Sequence, residues 1–298
     1  MKSLYLNYIQ PNQPFKEDRH DLIQEPKKRM TIKPQHKIAA IYFAIGVLWI
    51  FFSDFAVGIL FERIEDITVA QHIKGWFFIF VTGMLLFFLI QKDVNKITRT
   101  SAQLAESYEQ TIHGWVRVMD LRHQETTDHT ARVTRMTLEL AKIAGITGKQ
   151  ELKRIERAAL LHDIGKIGIP DASLIKPGKL VDEEWDLIKM HPQIAHDILS
   201  NISFLKPSID IPYAHHEKWD GSGYPQGLKG DAIPMAARLF AIVDVWDALI
   251  HPRVYKDAWP EDKVLKYIKE QAGKHFDPHI VKLYLENYPR IKKSLKAA

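Results

Sequence analysis

Two stretches of the chain are apolar almost without interruption, and they set its layout. Residues 38–61 read IAAIYFAIGVLWIFFSDFAVGILF, with Asp54 as the sole charge. That exceeds the roughly 20 residues a helix needs to cross a bilayer. Residues 75–90 read GWFFIFVTGMLLFFLI, close to the lower limit of about 17, and Trp76 and Lys92 stand ready to anchor the ends of that run at the two interfaces. The pattern predicts a transmembrane hairpin over residues 37–91. Two buried helices of a soluble protein would be the rival source of such runs, but flanking charge favours spans. Residues 1–36 are polar, charged and proline-containing, which predicts a flexible tail rather than a secretory signal.

Beyond the second run, Val94, Ile97, Leu104, Tyr108, Ile112 and Trp115 form an apolar stripe at helical spacing. They predict a linker helix over residues 92–110, with a greasy face suited to pairing with a second copy in a parallel homodimer. From about residue 111 the pattern is helical almost throughout. It breaks only at GIPD, KPGK, WDGSGYPQGLKGDAIP and HPRVY, which predicts an all-α domain over residues 111–298.

Charge fixes the orientation. Lys27, Lys28, Arg29, Lys33 and Lys37 precede the first run, and Lys92, Lys96 and Arg99 follow the second. The segment between them, ERIEDITVAQH, is mostly acidic. The positive-inside rule therefore places both ends in the cytoplasm and leaves an external turn too short for a folded sensor. Asp54 reads either as a functional intramembrane carboxylate or as an interfacial one near the outer end of its span. The chain has no cysteine and a net charge of +5 over 298 residues, so disulfides and thiolate chemistry are excluded. No basic stripe interleaved with aromatics points to a nucleic-acid polymer.

The chemistry sits in the helical domain. RIERAALL, residues 154–161, offers Ile155, Ala158, Ala159 and Leu161 to a core, yet His162 and Asp163 follow directly. An unpaired buried carboxylate there would cost several kcal/mol. Other residues of the same type punctuate the helices: Glu125 and His129, four apart on one face, then His191, His215, His216 and Asp244. Histidine with carboxylate is a donor set for divalent ions when thiolates are absent. Five histidines and three carboxylates exceed the four ligands of one tetrahedral zinc. They suit two or three six-coordinate ions with shared carboxylates, iron or manganese before zinc. Such ions would compensate Asp163, and they acidify bound water to supply a nucleophile at neutral pH.

This series, with HDIGKIGIPD at residues 162–171 and GYP at 223–225, resembles the HD-GYP family of the HD phosphohydrolase superfamily over residues 111–289. The resemblance implies an HD-type helical bundle that hydrolyses the bacterial messenger cyclic di-GMP to pGpG and/or GMP. It implies metal ligation by Glu125, His129, His162, Asp163, His191, His215, His216 and Asp244, the first two marking a three-metal centre. His162, Asp163 and Lys166 become the catalytic group, with Lys166 beside a substrate phosphate. Gly223, Tyr224 and Pro225 match the loop that names the family. Arg253 and Lys256 match a basic pair facing the second phosphate, although the family's small polar residues before the arginine are replaced here by Ile250, His251 and Pro252. Tyr224 is open to two roles, stacking on a base or packing with a bonded hydroxyl. Asp247 and Asp220 are candidates to orient ligands, with Asp220 equally suited to holding its turn. His123, His196, His251, His275 and His279 read as structural or solvated. The whole implies a phosphodiesterase on the cytoplasmic face of the bacterial inner membrane. The rival readings are a hydrolase of another cyclic dinucleotide or nucleotide, and a cyclic di-GMP sensor that does not cleave it.

The topology is checked directly by reporter fusions placed after Lys92. A cytoplasmic signal is expected. A periplasmic one would put the helical domain on the wrong side of the membrane for an intracellular messenger.

Overall fold

A computed structural model of the chain describes residues 34–60, 63–123, 128–176, 178–252 and 257–296. The described residues are helical, with no strand among them and a single isolated bridge between Ala272 and Phe276. The chain divides into two compact units, Met1–Ser101 and Ala102–Ala298.

The first unit holds α1 (Pro34–Leu60) and the opening of α2 (Ile64–His123). Both helices are long and apolar enough to cross a membrane by length and composition, and only 6% of the apolar window of each is buried. A pair of core helices would be mostly covered; here Phe43, Phe51, Phe55, Trp76 and Phe80 are all exposed. Between the two helices Trp49 packs on Phe77 and Phe78, with ring centroids 5.5 and 5.9 Å away. Asp54 forms an ion pair with Lys74, so the one charge inside the first apolar run is met by a charge at the border of the second. Thr82 returns its hydroxyl proton to the carbonyl of Phe78 at 2.6 Å, which satisfies a polar group in an apolar helix.

The second unit is a helical bundle. The rest of α2 leads into α3 (His129–Ile143), α4 (Lys149–Leu160), a 3-10 turn at Ile164–Gly168, α5 (Asp171–Leu174), α6 (Asp182–Ile188), α7 (His191–Leu199) and α8 (Asp210–Ala214). It continues through α9 (Met235–Ile250), α10 (Glu261–Glu270), α11 (Pro278–Glu286) and α12 (Tyr288–Lys293). Helix α9 is the axis of the core: Leu239, Phe240, Ile242, Val243 and Trp246 are buried against Met136 and Leu140 of α3, Ile155 and Ala159 of α4, Ile268 of α10 and Tyr284 of α11. Local sequence sets the ends of the elements. Gly145, at φ 92°, closes α3 in the left-handed conformation that glycine adopts cheaply. Asp277 opens α11 by accepting the His279 N–H at 2.8 Å, with Pro278 at the first helical position.

A second cluster buries Ile112 and Met119 of α2 against Leu161, Ile164, Ala195, Leu199 and Leu205. Helix α2 therefore packs directly behind the 3-10 turn. Arg122 strengthens this contact, donating to the carbonyl oxygens of Lys166 (2.9 Å) and Ile169 (2.7 Å) and pairing with Asp171 at 2.7 Å. On its other side the turn lies against the start of α7. A β-carbon on Gly165 would stand 1.9 Å from the His191 carbonyl oxygen, closer than any real contact, so only glycine lets the two segments meet.

Candidate metal centre

Five segments deliver the described histidines and acids of the series to one place. His129 begins α3, His162 and Asp163 leave α4 for the 3-10 turn, His191 begins α7, His215 and His216 follow α8, and Asp244 lies midway along α9. They form two groups in which one ligand atom from each residue lies within 4.8 Å of the others: His191 with His215 and His216, and His129 with His162 and Asp244. Asp163 lies between the groups. Its Oδ1 is 3.4 Å from His191 Nε2 and 3.9 Å from His215 Nε2, while its Oδ2 is 3.1 Å from His162 Nε2.

Hydrogen bonds fix how four of the five imidazoles point. The Nδ1 atom of His162 faces the Ala159 carbonyl at 2.9 Å, that of His191 the Ile188 carbonyl at 2.7 Å, and that of His215 the Ile211 carbonyl at 2.9 Å. His129 Nδ1 meets the carboxylate of Asp247 at 2.7 Å. A carbonyl or carboxylate only accepts, so each Nδ1 carries the proton and each Nε2 presents a lone pair. Asp247 is itself buried and held by Arg132 through Nε at 2.8 Å and Nη2 at 2.9 Å, with His251 Nδ1 at 3.2 Å. It is placed to orient a candidate ligand. Asp220 instead accepts from the backbone and hydroxyl of Ser222, at 2.9 and 2.7 Å, and holds its turn.

The lone pairs then face one another. His191 Nε2 lies 3.3 Å from His215 Nε2, and His129 Nε2 lies 3.5 Å from Asp244 Oδ1. Acceptor against acceptor is repulsive in a buried site unless a cation stands between. Two nitrogens bound about 2.0–2.1 Å from one ion lie roughly 3 to 3.4 Å apart, so the donor set fits divalent ions. Protonation follows the same logic. Burial, then the other histidines, pushes His215 well below its ordinary value, and burial takes His191 down to about 4. Both are neutral at pH 7 and free to ligate. Burial opposes the ionisation of Asp163, but the Lys166 ammonium overcomes it and holds the carboxyl well below the usual range. Lys166 Nζ sits 2.5 Å from Asp163 Oδ2.

The loop after His216 closes on the centre. The Tyr224 N–H donates to the His216 carbonyl at 3.2 Å, and the Tyr224 ring stacks on the His216 imidazole at 4.8 Å. A β-carbon on Gly223 would lie 2.4 to 2.6 Å from backbone atoms of His216, Glu217 and Lys218, so glycine is required for that approach. Pro225 follows in the same loop. Glu125, Arg253 and Lys256 lie outside the described residues. Sequence reasoning missed Glu217, Gly165 and Arg122. A glutamate in a polar loop and an arginine at a helix end look solvated, and the glycine's close contact is with a residue 26 positions away.

A family model described as HD domain matches residues 115–280. The chain belongs to the HD-domain family. The match brackets every candidate site residue from Glu125 to Lys256, and the HD domain is a divalent-metal-binding family. Curated relatives match part of the chain. One is "Cyclic di-GMP phosphodiesterase response regulator RpfG" of Xanthomonas campestris, 40% identical over 206 residues, 64% of this chain and 54% of the relative. "3'3'-cGAMP-specific phosphodiesterase 2" of Vibrio cholerae is 39% identical over 187 residues, 62% of this chain and 36% of the relative. "Cyclic di-GMP phosphodiesterase" of Thermotoga maritima is 36% identical over 203 residues, 66% of this chain and 55% of the relative. The HD-domain chain thus spans between about a third and about half of the length of these relatives.

Asp163→Asn keeps the shape of the side chain but removes the charge that stands between the two groups. Metal analysis of the purified full chain is expected to show at least one equivalent fewer per chain than the parent. Unchanged metal content would mean that this carboxylate is not shared.

Proposed function

We propose that the chain is a membrane-anchored phosphodiesterase that hydrolyses cyclic di-GMP to pGpG and/or GMP at the cytoplasmic face of the bacterial inner membrane. It works with two or three divalent ions, iron or manganese before zinc. The observation that carries this reading is the position of Asp163 between two histidine groups whose lone pairs converge. The names of the curated relatives supply the substrate class, and the exposed apolar surfaces of α1 and α2 supply the anchor. Val94, Ile97 and Leu104 are exposed along α2, which favours a homodimer through that helix.

Divalent ions at such a centre supply Lewis acidity toward a phosphoryl group and a water nucleophile. The chain does the rest. His129, His162, Asp163, His191, His215, His216 and Asp244 hold the ions, and Glu125 adds a ligand for a third. Lys166, 17% exposed beside Asp163, offers positive charge to the oxygens of the phosphate being cleaved. Gly223, Tyr224 and Pro225 form one wall of the substrate site, with Tyr224 backed by His216. Arg253 and Lys256 bind the second phosphate, the arginine through a planar two-point grip.

A second reading has a specific support: a relative named for 3'3'-cGAMP matches at 39% identity, against 40% for one named for cyclic di-GMP. Turnover of both dinucleotides by the metal-loaded full chain separates the two. Faster loss of cyclic di-GMP is expected. Preference for cGAMP would reassign the substrate, and binding of cyclic di-GMP without turnover would make the protein a sensor.

Substrate recognition is tested by Arg253→Ala. Losing one charge-assisted contact costs about 1.5 to 3 kcal/mol, or roughly 10- to 150-fold. Turnover of cyclic di-GMP should fall by that factor, while hydrolysis of a small chromogenic phosphodiester stays nearly intact. Equal losses on both would give Arg253 a structural role.

A further inference from the structure

Four of the five clustered imidazoles are fixed by a hydrogen bond at Nδ1, but His216 has no ring hydrogen bond among the described residues. Its ring lies against those of His215 and His191, at 4.0 and 5.0 Å between centroids, and is covered by Tyr224 at 4.8 Å. The orientation of His216 therefore depends on the loop that carries Tyr224.

Besides the Tyr224 N–H bond to the His216 carbonyl, that loop is held at its base and at its far arm. Its base is tied to a distant segment, with the Trp219 N–H donating to the His275 carbonyl at 3.1 Å and the Asp220 N–H to the Lys274 carbonyl at 2.9 Å. Its far arm is tied by one side chain. Glu217, 2% exposed, accepts the Gln226 N–H at 2.7 Å through Oε1 and the Leu228 N–H at 3.0 Å through Oε2. Each carboxylate oxygen takes one backbone donor on the far side of Tyr224 and Pro225. A carboxylate buried this deeply in a connecting loop is costly unless it is satisfied in this way.

We propose that Glu217 is a positioning residue for the metal centre: it clasps the arm at Gln226 and Leu228, so that Tyr224 stays stacked on His216 and the imidazole faces His191 and His215. The clasp stands in for the Nδ1 anchor that no described residue gives His216. It rests on the reading of this cluster as a metal centre, and it assigns the loop a task before any substrate arrives. Only the arm depends on Glu217; the base, tied to Lys274 and His275, does not.

Glu217→Gln tests this, because the amide turns one acceptor into a donor facing a backbone N–H. The probe is Mn²⁺, titrated by equilibrium dialysis into the metal-stripped full chain in detergent. Loss of an orienting partner typically weakens metal binding about 10- to 100-fold. One class of bound Mn²⁺ should weaken by that factor in Glu217→Gln, and the remainder should bind as in the parent. General unfolding would weaken every class. His216→Ala should lose the same class outright. Normal binding in Glu217→Gln beside a loss in His216→Ala overturns the clasp alone, whereas normal binding in both overturns the metal reading with it. If Glu217→Gln does not fold, Gly223→Ala serves instead. It leaves Glu217 in place and opens the loop by steric contact, and normal Mn²⁺ binding there overturns the proposal.

Discussion

The second unit is organised by the repulsion of lone pairs at its centre. Each anchored imidazole spends its Nδ1 proton on a carbonyl of its own turn, or on Asp247, and so has only an acceptor left to point inward. Four such acceptors meet Asp163, Asp244 and one another at 3.1 to 3.5 Å in a buried space. Without positive charge the arrangement pushes itself apart. Lys166 supplies some of that charge to Asp163, and the divalent ions we propose would supply the rest. Their binding free energy would then also be free energy of folding for these segments.

The rest of the unit resists that repulsion. Helix α9 brings Asp244 to the centre on the same element whose apolar residues form the core, so the ligand cannot shift without repacking. Gly165 sets the turn that carries Asp163 directly on the His191 carbonyl, and Arg122 grips the same turn from α2.

Much of this was legible in the sequence because it follows from periodicity and residue type. The apolar runs announced α1 and the part of α2 over residues 75–90, although α2 already begins at Ile64, within the segment read as an external turn, and the breaks at GIPD and at the glycine-rich loop fell between helices. The His and Asp residues stood out because nothing else in an apolar helix explains them. What stayed hidden depends on register between distant segments. The Asp54–Lys74 pair spans a hairpin, Gly165 matters only through His191, and Glu217 matters through amides nine and eleven positions on. No local pattern marks such contacts. Lys166 was read as a phosphate ligand, and its geometry adds a bond to Asp163 that spacing alone did not separate from that role.

The central claim is that Asp163 is shared by two ions. Electron paramagnetic resonance of the Mn²⁺-loaded full chain tests it most directly, because a bridging carboxylate couples the spins of the ions it joins. The account predicts the multiline spectrum of an exchange-coupled pair, lost in Asp163→Asn. Signals of isolated Mn²⁺ alone, at full occupancy of the parent protein, would contradict it.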